Sequence, residues 1–289
     1  MKTRVITSIF ILAVIIPVLV FSHTAVYPIA LAAFAVMAVF EMLRVIGVEK
    51  RLALAIPAYV MAAALPIVHF FVEIDSKDYI LLMVAAVFAY LLYLMGAGVF
   101  SGGRLIPGDK EIENREHTLS VATIGEVFMT VTYIVVSFTA LSMLRYTDHG
   151  GAIFVLVFVA AWVCDTAAYF VGFLFGKHKL IPAVSPKKTV EGSIGGIVFA
   201  TLAFVLYGFI IESFTDLEAN YLALALSGLV LSVVSQVGDL IASLIKREHG
   251  VKDYSNLMPG HGGIMDRFDS ILAVSTPLMF ICLVFPPFS

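Results

Sequence analysis

The chain has 289 residues, of which 61% are hydrophobic and 13% charged, and its formal net charge is −3. A soluble domain has about 45–50% apolar and about 25% charged residues. The apolar residues here also come in blocks of about twenty, the length that crosses a hydrocarbon core of about 30 Å. Composition and blocks together exclude an ordinary soluble domain and indicate a membrane protein.

The apolar blocks predict an all-α, polytopic transmembrane bundle of about nine helices. In chain order they cover residues 4–22, 26–46, 52–72, 79–99, 118–143, 151–175, 193–211, 221–245 and 270–286. The first block follows Lys2 and Arg4, as in a signal peptide. Its apolar run is longer than the usual 7–15 residues of a signal sequence, so we expect an uncleaved first helix.

The basic residues predict the orientation of the bundle. With nine helices, sixteen of the 18 lysines and arginines fall on one side, and only Lys77 and Arg145 fall on the other. The positive-inside rule then places the N-terminus in the cytoplasm and the C-terminus outside. The long polar stretches 101–117, 177–191 and 246–269 all lie on the cytoplasmic side of this topology.

Polar residues divide the chain into two parts of one integrated membrane domain. Residues 1–150 carry five predicted helices and few polar groups, which suggests a lipid-facing scaffold. Residues 151–289 carry four predicted helices and the cytoplasmic loops 177–191 and 246–269. We therefore expect the chemistry in the C-terminal part.

Four acids lie within or at the edge of apolar spans, where an ionised carboxylate normally needs a partner, a cavity or water. Glu41 is three residues before Arg44, which favours a surface ion pair. Glu126, Asp165 and Asp239 lie in the cytoplasmic halves of their helices. Asp239 also belongs to a polar helix stripe with Ser232, Ser235, Gln236 and Ser243. Hydrogen bonding between helices is the alternative to a functional role for these groups.

The densest polar segment runs from Ser243 to Ser270. Its cations, Lys246, Arg247, Lys252 and Arg267, alternate with the acids Asp253, Asp266 and Asp269. The glycine-rich turn at 261–263 and the following helix N-terminus offer backbone N–H groups to an anion. Two acids three residues apart on a helix could share one Mg²⁺. The alternatives are an N-cap role for Asp269 and lipid-headgroup anchoring by the cations.

A second polar segment precedes the seventh predicted helix. Ser185, Lys187, Lys188 and Thr189 supply hydroxyls and cations suited to a phosphate, and Gly192, Gly195 and Gly196 follow them. An ordinary basic loop followed by close helix packing through small residues explains the same pattern. The chain contains neither a P-loop nor a GxGxxG motif.

These residues resemble the signature of the CDP-diacylglycerol synthases, also called phosphatidate cytidylyltransferases. The matching positions are Ser243, Lys246, Arg247, Lys252, Asp253, Pro259, His261, Gly262, Gly263, Asp266, Arg267 and Asp269. Similar blocks occur at Asp165 to Gly176, at Ser185 to Gly192 and at Gly238-Asp239-Leu240. Ser255 stands where glycine is frequent, and Met258 where leucine or isoleucine is commoner. The resemblance covers residues 160–270.

The resemblance implies a Mg²⁺-dependent reaction of CTP with phosphatidate that gives CDP-diacylglycerol and pyrophosphate. It assigns the metal to Asp239 and Asp266, assisted by Asp165 and Asp269. The resemblance is also compatible with a second metal ion. The catalytic cations and imidazole would be Lys246, Arg247, Lys252, His261 and Arg267. The substrate-binding residues would be Ser185, Lys187, Lys188, Thr189, Ser243, Gly262 and Gly263.

The resemblance also implies a location and partners. The protein would reside in the cytoplasmic membrane with its active site on the cytoplasmic side, and it would bind no nucleic acid. The resemblance is also compatible with a homodimer. Two alternatives remain at this stage. A CTP-dependent polyprenol or phytol kinase would also use CTP in a membrane, and an ion-coupled secondary transporter would use intramembrane acids as a relay.

Overall fold

The computed structural model describes residues 7, 13–72, 74–100 and 120–289. The start of the first predicted helix and the polar stretch 101–117 therefore lie outside the described residues. Residues 13–20 are helical, which agrees with the second half of that first helix.

Eight further helices in the described part of the chain are long and apolar enough to cross a membrane, which confirms the predicted polytopic bundle. They are α1 (Val26–Ile46), α2 (Leu52–Phe71), α3 (Ser76–Phe100), α4 (Val121–Tyr146), α5 (Gly150–Phe175), α6 (Val190–Phe214), α7 (Tyr221–Glu248) and α8 (Met265–Val284).

Short polar residues begin several of these helices by accepting backbone hydrogen bonds that the first turn cannot make internally. The Ser120 hydroxyl accepts from Thr123 N at 3.0 Å at the start of α4. The Asn220 side chain accepts from Ala223 N at 3.1 Å at the start of α7. Helix α8 differs, because its N-cap residue, Ile264, has no side-chain capping bond.

Helix α5 is irregular in its middle. Residues Val159–Val163 form a π-helical turn, and the regular helix Cys164–Phe175 follows it. Single π-helical turns inside α-helices are rare and often occur at functional sites, since the extra residue rotates the side chains that follow. Asp165 lies directly after this turn.

A β-hairpin joins α5 to α6, where the sequence predicted only a polar loop. Strand β1 (Lys179–Ile181) pairs antiparallel with β2 (Ser185–Thr189), and Lys179 lies opposite Thr189. The strands are short, and β2 carries a proline and two lysines instead of alternating apolar residues. This composition explains why hydropathy alone did not predict the hairpin.

Helix α4 is the centre of the bundle. In an apolar stretch of 18 residues in α4, 72% of the residues are buried, against 17% in α3, which therefore lies at the edge of the bundle. Helix α8 packs against both α4 and α7. The polar segment between α7 and α8 is thus anchored to the most buried part of the molecule.

The segments predicted to share one side meet at one end of the bundle. The end of α1 contacts the α7–α8 loop through Glu41 and Ser255, and the hairpin contacts α7 through Lys188 and Asp239. At the opposite end, Glu218 and Ser289 exchange two backbone hydrogen bonds. The polar residues of distant segments are therefore gathered at the first end.

Candidate active site

The site is built on the junction between α7 and α8. Helix α8 begins at Met265, five residues earlier than the sequence predicted. Asp266 and Asp269 therefore lie in the first two turns of α8, and Asp269 is not its N-cap. A one-turn separation on a helix places two side chains on the same face, as the metal prediction required.

Asp266 is the most heavily bonded acid of this junction. Its Oδ1 accepts from Lys246 Nζ at 2.7 Å, and its Oδ2 accepts from the backbone N–H groups of Tyr254 and Gly263 at 2.8 and 2.9 Å. The Asp266 side chain is 5% exposed and the Lys246 side chain 11% exposed. This buried pair ties the loop to both helices.

Tyr254 completes the surroundings of the Lys246 ammonium group. The ammonium lies 5.2 Å from the centre of the Tyr254 ring, a favourable cation–π distance. Burial, followed by the Asp266 carboxylate, raises the pKa of the Tyr254 phenol above its usual range. The hydroxyl therefore stays protonated and donates to the Ala242 carbonyl at 2.9 Å.

The expected surface ion pair between Glu41 and Arg44 is wrong. Glu41 is only 2% exposed, and its carboxylate accepts hydrogen bonds from Ser255, Ile264 and Met265 in the α7–α8 junction. Burial of the helix end against this loop provides partners that lie more than two hundred residues away in the sequence. A residue predicted to be peripheral thus belongs to the site's framework.

The glycine-rich turn also differs from its prediction. The Gly263 N–H group, expected to face a substrate anion, donates to Asp266 instead. The next two N–H groups, of Ile264 and Met265, donate to Glu41. Two carboxylates of the protein therefore occupy the anion position that the sequence assigned to a phosphate.

Three other acids lie close together beside this junction, and two of them line a cavity. Asp165 of α5 and Asp269 of α8 line the cavity, which has a volume of about 280 Å³. Each lies close enough to Asp239 of α7 for their charges to interact. The structure thus brings together three of the four acids assigned to the metal, and Asp266 lines the same cavity.

The partners of these three acids are few. Lys188 Nζ lies 2.7 Å from Asp239 Oδ2, and Ser270 Oγ donates to Asp165 Oδ2 at 3.2 Å. The Asp269 carboxylate accepts from the Ser270 N–H group at 2.8 Å. Like charges held close together with so few donors are favourable sites for a cation.

The hairpin positions one of its predicted residues directly at the acids. Lys188 reaches Asp239, whereas Lys187 is exposed. Thr189 is buried, and its hydroxyl caps α6 by accepting from Gly192 N at 3.2 Å. Ser185 is half-buried in β2. The hairpin therefore supplies Lys188 to the site and uses Thr189 to begin the next helix.

The glycines that open α6 pack closely against α5. A Cβ atom at Gly196 would lie 2.9 Å from the Cys164 carbonyl oxygen, and one at Gly195 would lie 2.6 Å from the Val171 side chain. Close helix contact through small residues, one of the two interpretations that the sequence left open, therefore accounts for them.

The remaining predicted cations differ in exposure. Arg267 is exposed, lines the acid cavity, and donates from Nε to the His261 carbonyl at 2.9 Å. Arg247 and Lys252 are exposed, and Arg247 donates to the Val251 carbonyl at 3.3 Å. His261 and Ser243 are half-buried near them. Exposed cations remain available to a soluble anion.

Part of the polar stripe on α7 serves helix packing. Gln236 donates to the Ser193 carbonyl at 3.1 Å and to Cys164 Sγ at 3.4 Å, which links α7 to α6 and α5. The Glu126 carboxylate of α4 contacts Nε2 of His249 at the end of α7 within hydrogen-bond distance. These contacts support the interhelical hydrogen-bonding interpretation for Gln236 and give Glu126 a structural partner.

The sequence missed three contributions to the site: the capping role of Glu41, the hairpin and the α5 π-turn. The signal that the sequence offered for Glu41 was an acid at the end of an apolar span. Its partner could not be chosen, because Arg44 offered a plausible neighbour on the same helix.

The fold and site together define a membrane-embedded protein with a cluster of acids and cations at one end of a helical bundle. A family model described as the cytidylyltransferase family matches residues 2–285. The chain belongs to this family, and it is a membrane-bound transferase.

Named relatives agree with the family match. The chain is 33% identical over 291 residues to the phosphatidate cytidylyltransferase of Bacillus subtilis, an alignment that covers 99% of this chain and 98% of the relative. It is 32% identical over 291 residues to the protein of the same name from Staphylococcus haemolyticus, with 98% of this chain and 99% of the relative covered. A Staphylococcus epidermidis relative with this name is 43% identical over 156 residues, which cover 54% of this chain and 57% of that protein.

Proposed function

We propose that the protein transfers the cytidylyl group of CTP to phosphatidate and releases pyrophosphate. A phosphate oxygen of phosphatidate forms a bond to the α-phosphorus of CTP, and the bond from that phosphorus to the oxygen of the β-phosphate breaks. The products are CDP-diacylglycerol and pyrophosphate. Relatives that align over the whole chain carry the name of this activity.

The observation that carries the proposal is the juxtaposition of acids and apolar walls in the 280 Å³ cavity. Its lining combines the acids Asp165 and Asp269 with apolar side chains, among them Phe158, Trp162 and Leu31. A lipid phosphate needs both environments, because its headgroup is charged and its chains are apolar. A soluble nucleotide substrate alone would not require the apolar walls.

An adjoining cavity extends the apolar surface. It has a volume of about 570 Å³ and shares Ile15, Phe34, Arg267 and Phe268 with the acid cavity. Thr7, at its edge, donates to the Pro259 carbonyl at 3.1 Å, so the first helix contacts the α7–α8 loop there. We assign this cavity to the acyl chains of phosphatidate, with Arg267 beside the lipid phosphate.

The acid cluster fits Mg²⁺ as the cofactor. Among the described residues, no three or more histidine, cysteine, aspartate or glutamate side chains form a group that could hold a metal ion. Magnesium does not need such a group, since it is usually held by one or two carboxylates together with substrate phosphates and water. Asp239 would hold the ion with help from Asp269 and Asp165. When bound, Mg²⁺ would neutralise the charge that develops on the phosphates.

Asp266 has a second role in this proposal. Both of its oxygens already accept hydrogen bonds from the protein. An Oδ1 lone pair that Lys246 does not use could still face the cavity. We therefore assign Asp266 first to holding the α7–α8 loop and only second to metal binding.

The cations bind and orient the two anionic substrates. Lys188, whose ammonium lies 2.7 Å from Asp239 Oδ2, would hold a substrate phosphate beside the acids. Arg247 and Lys252, which are exposed, would attract the CTP phosphates. Phosphatidate already carries a nucleophilic oxygen, so positioning and charge neutralisation are the main requirements.

The positive-inside distribution supports a site that opens to the cytoplasm, where CTP is available. A cysteine placed in the 177–191 loop should react with an impermeant thiol reagent only after the cytoplasmic face has been opened. One placed at 215–219 should react in intact cells. The reverse pattern would contradict this orientation.

The activity is tested with purified protein, phosphatidate, Mg²⁺ and CTP labelled in the cytosine ring. Label in the lipid phase, together with released pyrophosphate, is the expected result. A lipid kinase would instead transfer the γ-phosphate and leave the cytosine label in the aqueous phase as CDP. That outcome would contradict the proposed reaction.

A further inference from the structure

Glu41 is a buried acid in the N-terminal half of the chain for which the proposed reaction has no direct use. It lies near the end of α1 and is 2% exposed. Burying an ionised carboxylate is costly unless hydrogen bonds or a cation compensate it. The hydrogen-bond donors around Glu41 therefore indicate the structural role of its carboxylate.

Within the described residues, the hydrogen-bond partners of the Glu41 carboxylate all come from the α7–α8 junction. Oε1 accepts from Ser255 Oγ at 2.6 Å and from Ile264 N at 3.0 Å, and Oε2 accepts from Met265 N at 2.9 Å. None of the ion pairs found in the described ranges includes Glu41. The carboxylate is stabilised by one hydroxyl and two backbone N–H groups.

These contacts make Glu41 the cap of α8. The first N–H groups of a helix have no partner inside it, and a negative charge there is favoured by the helix dipole. Helix α8 lacks a capping side chain of its own. Glu41 supplies that cap from a different helix, so it determines where α8 begins relative to α1.

The two glycines of the turn are fitted to this arrangement. A Cβ atom at Gly263 would overlap the Glu41 carboxylate, and one at Gly262 would lie 2.5 Å from Asp266 Oδ2. Gly262 also has a φ of 79°, a left-handed conformation that favours glycine. The turn therefore leaves room for two carboxylates to reach its backbone.

We infer that Glu41 is a positioning residue for the cytidylyl transfer. By capping α8 and bonding Ser255, it fixes the α7–α8 junction, and with it the placement of Asp266 and Asp269 at the cavity. The inference rests on the proposed function for its kinetic consequence, whereas its structural consequence can be measured without any substrate.

The test compares Glu41→Gln with the wild type in detergent. Glutamine keeps the size of the side chain, but it loses the charge and turns an N–H donor toward the donors of the α8 N-terminus. We expect kcat to fall about 10- to 100-fold, the usual effect of a residue that orients a metal or active-site ligand. The KM for CTP should change little, since this substitution leaves Arg247 and Lys252 unchanged.

Hydrogen exchange gives the second readout. In Glu41→Gln, peptides that contain residues 255–268 should exchange their backbone amides faster, while peptides from α4 should not change. This readout does not depend on activity. If the wild type failed to make CDP-diacylglycerol, the proposed function would fall and the exchange result would still decide the role of Glu41.

Arg44→Gln is the matched control, because Arg44 is exposed on the same helix turn. We expect wild-type kcat and exchange in this variant. Wild-type exchange in Glu41→Gln, with or without a loss of activity, would overturn the inference. If Glu41→Gln does not fold, Ser255→Ala takes its place, and unchanged exchange and kcat in that variant would overturn it as well.

Discussion

Two groups of acids meet at the same end of the bundle, and their surroundings differ. Glu41 and Asp266 are buried, and each of their carboxylates accepts three hydrogen bonds from the protein. Asp165, Asp239 and Asp269 lie close together beside a cavity that Asp165 and Asp269 line, and within the described residues they have few donors. The first group is satisfied by the fold, and we propose that the second binds a metal ion.

This difference separates acids that hold the fold together, which we call framework carboxylates, from acids that could bind a ligand, which we call site carboxylates. The sequence alone does not distinguish the two kinds. A framework carboxylate should contribute to stability, because removing it leaves buried donors unpaired. A site carboxylate should cost stability, because its neighbours repel it until a cation binds. Substitutions that remove only the charge can test the difference.

The largest effect should come from Asp239→Asn. We expect kcat to fall by about three orders of magnitude, since a metal ion and its ligands supply several kcal/mol of transition-state stabilisation. Thermal stability in detergent should be unchanged or higher. Activity within tenfold of the wild type would assign Asp239 to helix packing, and Asp148→Asn in the opposite, exposed loop is the silent control.

Asp266→Asn should also reduce activity, but with a loss of stability. Lys246 would keep its charge in a buried position without a carboxylate partner, a change that typically costs about 3–5 kcal/mol. A thermal melt in detergent would show this as a lower Tm. Lost activity with an unchanged Tm would instead place Asp266 among the metal ligands.

The hairpin provides a matched pair of lysines for a smaller effect. Lys188→Gln removes the cation that contacts Asp239, and we expect kcat/KM to fall about 10- to 100-fold. Lys187→Gln changes an exposed neighbour and should lower kcat/KM by about twofold or less. Equal effects from the two variants would show that the hairpin contributes only general positive charge.

The smallest effect should come from Glu126→Gln. Glutamine can still hydrogen-bond His249 across α4 and α7, and partly exposed ion pairs typically contribute about 0–1 kcal/mol. Steady-state kinetics should therefore give a kcat within about threefold of the wild type. A loss comparable to that of Asp239→Asn would extend the site to α4.

The sequence predicted the bundle well because long apolar blocks are a strong signal and admit few alternatives. It also predicted that Asp165 and Asp239 lie at the same end of the bundle as the 246–269 segment, since the depth of a residue follows from helix rise. It misjudged Glu41 because local spacing favours Arg44, whereas the observed partners depend on tertiary packing. It missed the hairpin because strands of three and five residues carry little periodicity.

Metal binding by the two groups of acids is the most direct test of this account. Mn²⁺ can stand in for Mg²⁺ at hard carboxylate sites, and electron paramagnetic resonance distinguishes the bound from the free ion. With CTP present, we expect the wild type to bind Mn²⁺, Asp239→Asn to lose most of that binding, and Glu41→Gln to retain it with lower affinity. Undiminished Mn²⁺ binding by folded Asp239→Asn would contradict the assignment of the metal to Asp239 and its neighbours Asp165 and Asp269.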